Sequence, residues 1–114
     1  MSISTTDITE RYFAASNRAD LKAVEALFQP NATYSSTHTG LYYGIADIMA
    51  MMEGFFSSHT SLHWQVSQLS RLSTHIVEVS FILEGTDQSG ESFERSGTER
   101  LVIEDGLIRH IEIR

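Results

Sequence analysis

The chain changes its hydrophobic period at about Ser61, and this change most limits the folds open to it. Before that point apolar residues recur at helical spacing, and after it apolar and polar residues alternate as in half-buried strands. The alternating part predicts strands at about 61–72, 74–85, 91–104 and 107–114. The segments GTDQSGE and EDG predict the turns, and Asp105-Gly106 is typical of a two-residue hairpin.

The first half predicts three helices and a short strand. STTDITERYFAASN forms the first helix, with an N-cap among its first four residues and Glu10 as a capping-box partner of Asp7. RADLKAVEALFQP forms the second helix. Asp20 caps it, its apolar stripe runs as far as Phe28, and Pro30 ends it. NATYSSTH then predicts a strand, GLYYG a turn-rich break, and IADIMAMMEGFFSSH the third helix.

This order of elements predicts an α+β fold in a single domain over residues 1–114. A sheet with one apolar face must cover that face, and three amphipathic helices are what this chain offers. At 114 residues the chain is long enough for one core and too short for two. We therefore expect a strongly curved, mostly antiparallel sheet wrapped around the helices, with a hollow between them for a small ligand.

Charge and residue usage exclude several function classes. The net charge is −7 and the eight basic residues are scattered, which disfavours nucleic-acid binding. The chain has no cysteine, so thiolate catalysis and zinc–thiolate sites are excluded. Its five histidines show no metal-ligand spacing, and no phosphate loop, dinucleotide fingerprint or nucleophile elbow is present, so no metal or cofactor is expected. Without a signal-peptide pattern or a membrane-length apolar run, we expect a cytoplasmic protein without membrane contact.

One carboxylate interrupts the apolar row of the third long strand. Phe93, Gly97 and Leu101 share that row, and Glu99 stands among them together with Arg95. Either the row is solvated at this point, with Glu99 paired to a nearby arginine, or the carboxyl faces an enclosed site. In an apolar hollow its charged form would be disfavoured and its pKa raised.

Several short stretches of the chain match a known pattern: Arg11-Tyr12, Ala19-Asp20-Leu21, Leu27-Phe28, Ala32-Thr33 and the tail ERLVIEDGLIRHIEIR. Together they resemble the nuclear transport factor 2-like superfamily, which includes ketosteroid isomerases, SnoaL-like polyketide cyclases and limonene epoxide hydrolases. The resemblance implies a cone-shaped, cystatin-like domain with a pocket at its open end. It also implies a homodimer formed through the outer face of the sheet.

The resemblance also implies catalytic roles. Tyr12 matches the tyrosine that donates to the substrate oxyanion in the isomerases, and Glu99 falls where a catalytic or protonated aspartate stands. Ser36 occupies the position of the isomerases' general base, and a serine cannot remove a carbon-bound proton without an activating base. His38, two residues on, offers an imidazole as that base. The competing interpretations are a Tyr12 that only packs in the core and a His38 that only meets solvent.

Further residues are expected to contact the ligand. Tyr34 and Ser36 share a strand face, Met52 and Phe56 belong to a Met- and Phe-rich cluster of the third helix, and His63 and Trp64 open a long strand at the pocket rim. Core packing alone also explains the Met and Phe cluster, and an outward-facing polar role also explains His63.

Three functions stay open at this level. The first is cofactor-independent acid–base catalysis of the isomerase, cyclase or epoxide-hydrolase type on a small apolar oxygenated molecule. The second is non-catalytic binding of a small apolar ligand in the same pocket. The third is an interaction module that pairs through the outer sheet face.

Overall fold

Three helices pack on one six-stranded sheet in the computed structural model, which describes residues 4–114. The helices are α1 (Thr5–Asn17), α2 (Leu21–Glu25) and α3 (Ile45–Ser57). The strands are β1 (Phe28–Ser36), β2 (Gly40–Tyr43), β3 (His59–Arg71), β4 (Ile76–Asp87), β5 (Ser92–Glu104) and β6 (Leu107–Ile113). The α+β class and the mostly antiparallel, curved sheet are confirmed.

The sheet has the order β2-β1-β6-β5-β4-β3, and β1 and β6 form its one parallel pair within the described residues. α1 packs on β3, β4 and β5, while α3 packs on β1, β2 and β3. Buried aliphatic side chains such as Val79, Leu101 and Ile111 lie on the sheet face that the helices cover. The core therefore lies between the helices and the concave face of the sheet, as the change of period predicts.

The hairpin turn between β5 and β6 has the predicted chemistry. Asp105 and Gly106 both have positive φ, +55° and +75°, and Glu104 pairs with Leu107 on either side of them. Positive φ at both central residues is the geometry that selects an Asp-Gly pair. This turn sets the first pairs of the hairpin; the register shifts between Val102 and Ile103, and the alternation along β5 places Glu99 on the covered face.

The start of α1 differs from the predicted capping box. The Ser4 hydroxyl caps the helix by accepting from the backbone N–H of Asp7, at 3.1 Å. Asp7 therefore lies inside the first turn, where a carboxylate interacts favourably with the helix dipole. The pairing of Asp7 with Glu10 was wrong because the helix begins three residues earlier than that pairing requires.

The second helix is shorter than predicted. Asp20 caps it as expected, through a bond to the Ala23 N–H at 3.2 Å, but the helix ends at Glu25. Phe28 already belongs to β1, and the Leu27 carbonyl accepts from a β6 N–H at 2.7 Å. Pro30 lies within β1, in the stretch where the register with β6 shifts and no ladder N–H is needed. Pairing with β6 therefore ends the helix before the proline does.

The predicted turn-rich break GLYYG contains the strand β2. Residues 37–39 form a tight turn that returns the chain, and β2 then pairs with the end of β1 from Ser36 opposite Gly40 onward. Gly40 has φ +108°, which other residues rarely adopt. The break prediction was wrong because the glycines at each end mark the boundaries of a short edge strand.

Candidate functional site

A cavity of about 70 Å³ lies between α1, α3 and the concave face of the sheet. At the ~10–15 Å³ that one water molecule occupies, it has room for about five waters or for the end of a larger ligand. Its lining residues are Tyr12, Ser16, Tyr34, Ser36, His38, Thr39, Met51, Met52, Phe55, Phe56, Trp64, Phe81, Leu83, Arg95, Ser96, Gly97, Ile113 and Arg114. Most of this wall is apolar, and polar groups are grouped at its ends.

Glu99 points into the protein, as the row on β5 suggested. Its side chain is 1% exposed, and its Oε2 has no hydrogen-bond partner among the described residues. It forms no ion pair within residues 4–114, and its neighbour Arg100 pairs with Glu78 on the other face at 2.8 Å. Burial alone raises the pKa of Glu99 from 4.5 to about 8, so the neutral acid predominates at pH 7. The alternative of a solvated, arginine-paired Glu99 is excluded.

Glu99 lies outside the set of residues that line the cavity, and two tyrosines connect it to that cavity. Tyr12 on α1 and Tyr34 on β1 are both buried and both line the cavity. Burial raises the pKa of each phenol well above its ordinary range, and the adjacent Glu99 carboxylate raises it further. The phenols therefore stay protonated, and Tyr12, Tyr34 and Glu99 form one group of buried acids at the cavity's inner end.

The sheet register explains why Tyr34 belongs to this group. Ile113 of β6 pairs with Ser36 on one side and with Glu99 on the other, and Ile111 pairs with Tyr34 and Leu101 in the same way. Tyr34 and Ser36 of β1 are thus separated from the row of Glu99 on β5 only by the strand β6. The parallel pairing of β1 with β6 brings residues of the first strand next to the last hairpin.

Ser36 and His38 lie beside the cavity in different structural settings. Ser36 ends β1 as a buried residue, and its Oγ accepts from the His38 backbone N–H at 3.1 Å. His38 lies in the turn that follows, not on the strand face that was expected, because β1 ends at Ser36. Both residues line the cavity, with His38 exposed at its mouth.

The apolar wall joins α3 to β3. Met52 is buried, and Phe56 and Trp64 lie with their ring centroids 5.7 Å apart. The Asn17 side chain fixes this end of β3: its amide nitrogen donates to the Trp64 carbonyl at 3.0 Å, and its oxygen accepts from the Trp64 N–H at 2.7 Å. Met52, Phe56 and Trp64, which were predicted to contact a ligand, all line the cavity, and the contact with a ligand stays a prediction.

His63 is the predicted ligand contact that the structure places elsewhere. Side chains alternate along β3, so Trp64 faces the cavity while the exposed His63 faces the other side. There it lies in a shallow groove with Glu84 and Glu94. The prediction that His63 contacts the ligand was wrong for this reason.

The sequence interpretation missed several lining residues. Phe81 and Leu83 of β4 and Gly97 of β5 line the cavity because they fall on the inward positions of alternating strands. The same period of two, applied to β4 as it was to β5, would have found them. Gly97 leaves space there, since a Cβ at that position would lie 2.8 Å from the Phe81 ring.

No group of three or more metal-ligating side chains occurs among residues 4–114. None of the helices in that range is both long and apolar enough to cross a membrane. What the cavity can offer a ligand is an apolar wall, hydroxyl donors at the inner end, and an imidazole at the mouth. Such donors can stabilise a negative charge that develops on a substrate oxygen in a site with little water.

Comparisons with known proteins agree with this fold. The structure is similar to a nuclear transport factor 2-like protein of unknown function from Burkholderia pseudomallei, with a TM-score of 0.87 and 16% identity over 96% of this chain and 88% of the other. It is also similar to a candidate polyketide cyclase from Pseudomonas putida, with a TM-score of 0.83 and 17% identity over 99% and 92% of the two chains. A candidate hydroxylase from Streptomyces galilaeus gives a TM-score of 0.82 and 20% identity over 96% and 86%.

Further similar structures have ketosteroid isomerase-like and cystatin folds. At these identities the likeness shows the fold alone. No curated protein matches the chain. The family model of the SnoaL-like domain matches residues 9–111, which is nearly the whole length. The chain therefore belongs to the SnoaL-like domain family, within the nuclear transport factor 2-like fold.

Proposed function

We propose that this protein binds a small, largely apolar oxygenated molecule in the cavity and catalyses a cofactor-independent acid–base reaction on it. The reaction would be of the isomerase, cyclase or epoxide-hydrolase type. One observation carries the proposal: two phenols, Tyr12 and Tyr34, reach an apolar cavity from beside a buried acid, Glu99, that has an unpartnered oxygen. The SnoaL-like family model and the candidate polyketide cyclase among the similar structures suggest a cyclase- or isomerase-type role.

In this proposal the inner end of the cavity stabilises an oxyanion. A carbonyl or epoxide oxygen of the substrate accepts a hydrogen bond from Tyr12 or Tyr34. As negative charge develops on that oxygen, the donors strengthen, because the surroundings are apolar and already ordered. Glu99 is the acid of the group, and in its neutral form it supports the phenols without repelling the oxyanion. An ionised carboxylate at the same place would oppose it.

The base in this proposal is His38. Ser36 stands where the isomerases carry an aspartate, and its hydroxyl has no activating partner, because its bond is to the His38 backbone and not to the imidazole. The cavity lining contains no aspartate or glutamate within residues 4–114. The imidazole of His38, exposed at the mouth, is the nitrogen base that lines the cavity within the described residues.

The proposal is tested without knowledge of the natural substrate. A panel of small ketones, enones, epoxides and lactones is incubated with the protein in D₂O, and proton NMR follows both turnover and exchange of the hydrogens next to the carbonyl. We expect Tyr12→Phe to slow the reaction about 10²–10³-fold, since it removes one oxyanion donor. His38→Ala should slow the exchange while leaving ligand binding intact.

Tyr43→Phe is the matched control, because Tyr43 is 69% exposed and does not line the cavity. It should behave as the wild type does. If the wild-type protein shows neither exchange nor turnover across the panel, the catalytic proposal fails.

Non-catalytic binding in the same cavity is the alternative function. The serine in place of the family's aspartate favours it, since the strongest base of the isomerases is missing. Binding of panel members, seen as line broadening or shift changes, without any exchange would support this alternative over catalysis.

A further inference from the structure

The charged side chains at the cavity are all basic. Arg95 and Arg114 line it, and no acidic residue does so within the part of the chain that the structure describes. The whole chain has the opposite balance, with 15 acidic and 8 basic residues. A cavity with two arginines in a protein of net charge −7 is therefore a local reversal of charge. Such a reversal favours an anionic group on the ligand.

Arg95 is the arginine that is available for such a group. Arg114 pairs with Glu112 at 3.3 Å, whereas Arg95 forms no ion pair among residues 4–114. Its guanidinium lies 5.4 Å from the centroid of the Phe93 ring. This contact orients the side chain and leaves the N–H donors of the guanidinium without a carboxylate.

The position of Arg95 on β5 places it at the opposite end of the cavity from Glu99 and the two buried tyrosines. Arg95, Gly97 and Glu99 occupy successive inward positions of one strand, so the backbones of Arg95 and Glu99 lie roughly 13 Å apart. A Cβ at position 97 would lie 2.8 Å from the Phe81 ring, so the absence of a side chain there lets Phe81 pack against the strand between the two ends. Phe55, Phe56 and Trp64 line the region between the two ends. The cavity therefore has two phenol donors at its inner end, an aromatic middle and a basic mouth.

We infer that the ligand is a small aromatic or apolar carboxylate, whose acid group pairs with Arg95 at the mouth while its apolar part lies against Phe55, Phe56 and Trp64. This inference rests on the proposed function, because it places the ligand in the same cavity, and it adds the chemical class of that ligand. A guanidinium matches a carboxylate through two parallel hydrogen bonds, which a neutral amide cannot reproduce. Arg95 is then the residue that determines specificity.

The test compares two ligands that differ in the charge of one end, 3-phenylpropionate and 3-phenylpropionamide. Binding is followed through the fluorescence of Trp64, the chain's one tryptophan, which lies in the cavity wall. We expect the wild-type protein to bind the carboxylate about tenfold more tightly than the amide at low salt, and the difference to shrink as ionic strength rises.

Arg95→Met keeps an unbranched apolar side chain and removes the charge, so it should bring the two affinities to within about twofold. The amide should still bind to this variant, and that binding shows that the cavity is intact. Arg100→Met is the matched control, because Arg100 is an exposed arginine of the same strand and lies outside the cavity lining. It removes the same charge and should leave the preference unchanged.

Equal affinities of the wild-type protein for the two ligands would overturn the inference while leaving a ligand-binding cavity, and the proposed function with it, in place. A preference that persists in Arg95→Met would overturn the assignment to Arg95. If neither compound binds at millimolar concentration, the inference fails; the NMR panel decides separately whether catalysis on neutral molecules stands.

Discussion

Replacement of Glu99 by glutamine should change how the stability of the protein depends on pH. In the folded protein burial raises the pKa of Glu99 from 4.5 to about 8, whereas the unfolded chain ionises near the ordinary value. Well below pH 4 the carboxyl is protonated in both the folded and the unfolded state, so its ionisation does not change the free energy of unfolding. As pH rises from 4.5 toward 8 the unfolded state alone loses its proton, so the wild-type protein loses stability relative to the unfolded chain.

The size of this effect follows from the pKa interval. At about 1.4 kcal/mol per pH unit, the shift from 4.5 to about 8 corresponds to roughly 5 kcal/mol above pH 8, and to roughly 3 kcal/mol at pH 7. Glutamine has nearly the same shape and does not titrate. The free energy of unfolding of Glu99→Gln, minus that of the wild type, should therefore rise with pH over this window and level off above it. A buried amide adds an offset that does not depend on pH, so the slope is the informative quantity.

The assay is urea unfolding at a series of pH values from 4 to 9, followed by the fluorescence of Trp64. Glu94→Gln is the matched control, because Glu94 is exposed on the same strand and belongs to the opposite row. Its difference from the wild type should stay within about 0.5 kcal/mol at every pH. A flat difference for Glu99→Gln between pH 5 and pH 8 would refute the reasoning, since it would mean that water reaches the folded carboxyl.

Other features of the structure give further predictions. Asn17→Ala removes both hydrogen bonds to the backbone of β3 and should lower the unfolding free energy by about 1–3 kcal/mol in urea titrations; an unchanged midpoint would show that water replaces them. Gly97→Ala should lower the free energy of unfolding by about 1–3 kcal/mol, because the new Cβ would lie 2.8 Å from the Phe81 ring. Gly54→Ala should instead raise it by about 0.5–1 kcal/mol, because a Cβ in that part of α3 would have no atom within 4 Å. We propose that two copies of the chain pair through the outer face of the sheet. Light scattering should then show a dimer, and Ile82→Glu, which places a charge at a half-buried outer position, should convert it to a monomer. A monomeric wild-type protein would contradict the proposal.

The period of two on β5 and the Asp-Gly turn were enough to predict the long hairpin, because both are local signals. They left the side of Glu99 open between a solvated row and an enclosed site, and only the burial of that side chain in the fold decides between the two. The end of the second helix was not predictable in this way. Leu27 and Phe28 continue the helical spacing, and only pairing with β6, distant in sequence, draws them into a strand.

Individual residues of the candidate site could be predicted from the sequence, but their positions relative to one another could not. Tyr34 was expected to contact a ligand, but its position beside Glu99 depends on the parallel pairing of β1 with β6, which joins the two ends of the chain. Arg95 was visible as a charge in the inward row, yet its lack of an acidic partner became evident only with all neighbouring strands in place. Non-local pairing is the information that one sequence does not contain.

The bonds between Asn17 and Trp64 have a consequence for the behaviour of the protein in a crowded solution. β3 is a 13-residue strand at the border of the sheet, and its free side is a template on which a foreign chain can add by backbone pairing. The side-chain amide of Asn17 has a donor and an acceptor spaced like those of a peptide group. It bonds to the carbonyl and the N–H of Trp64, near the middle of the free edge of β3. An incoming strand would have to displace that amide, so the same side chain that holds the cavity wall also hinders strand addition at this point of β3.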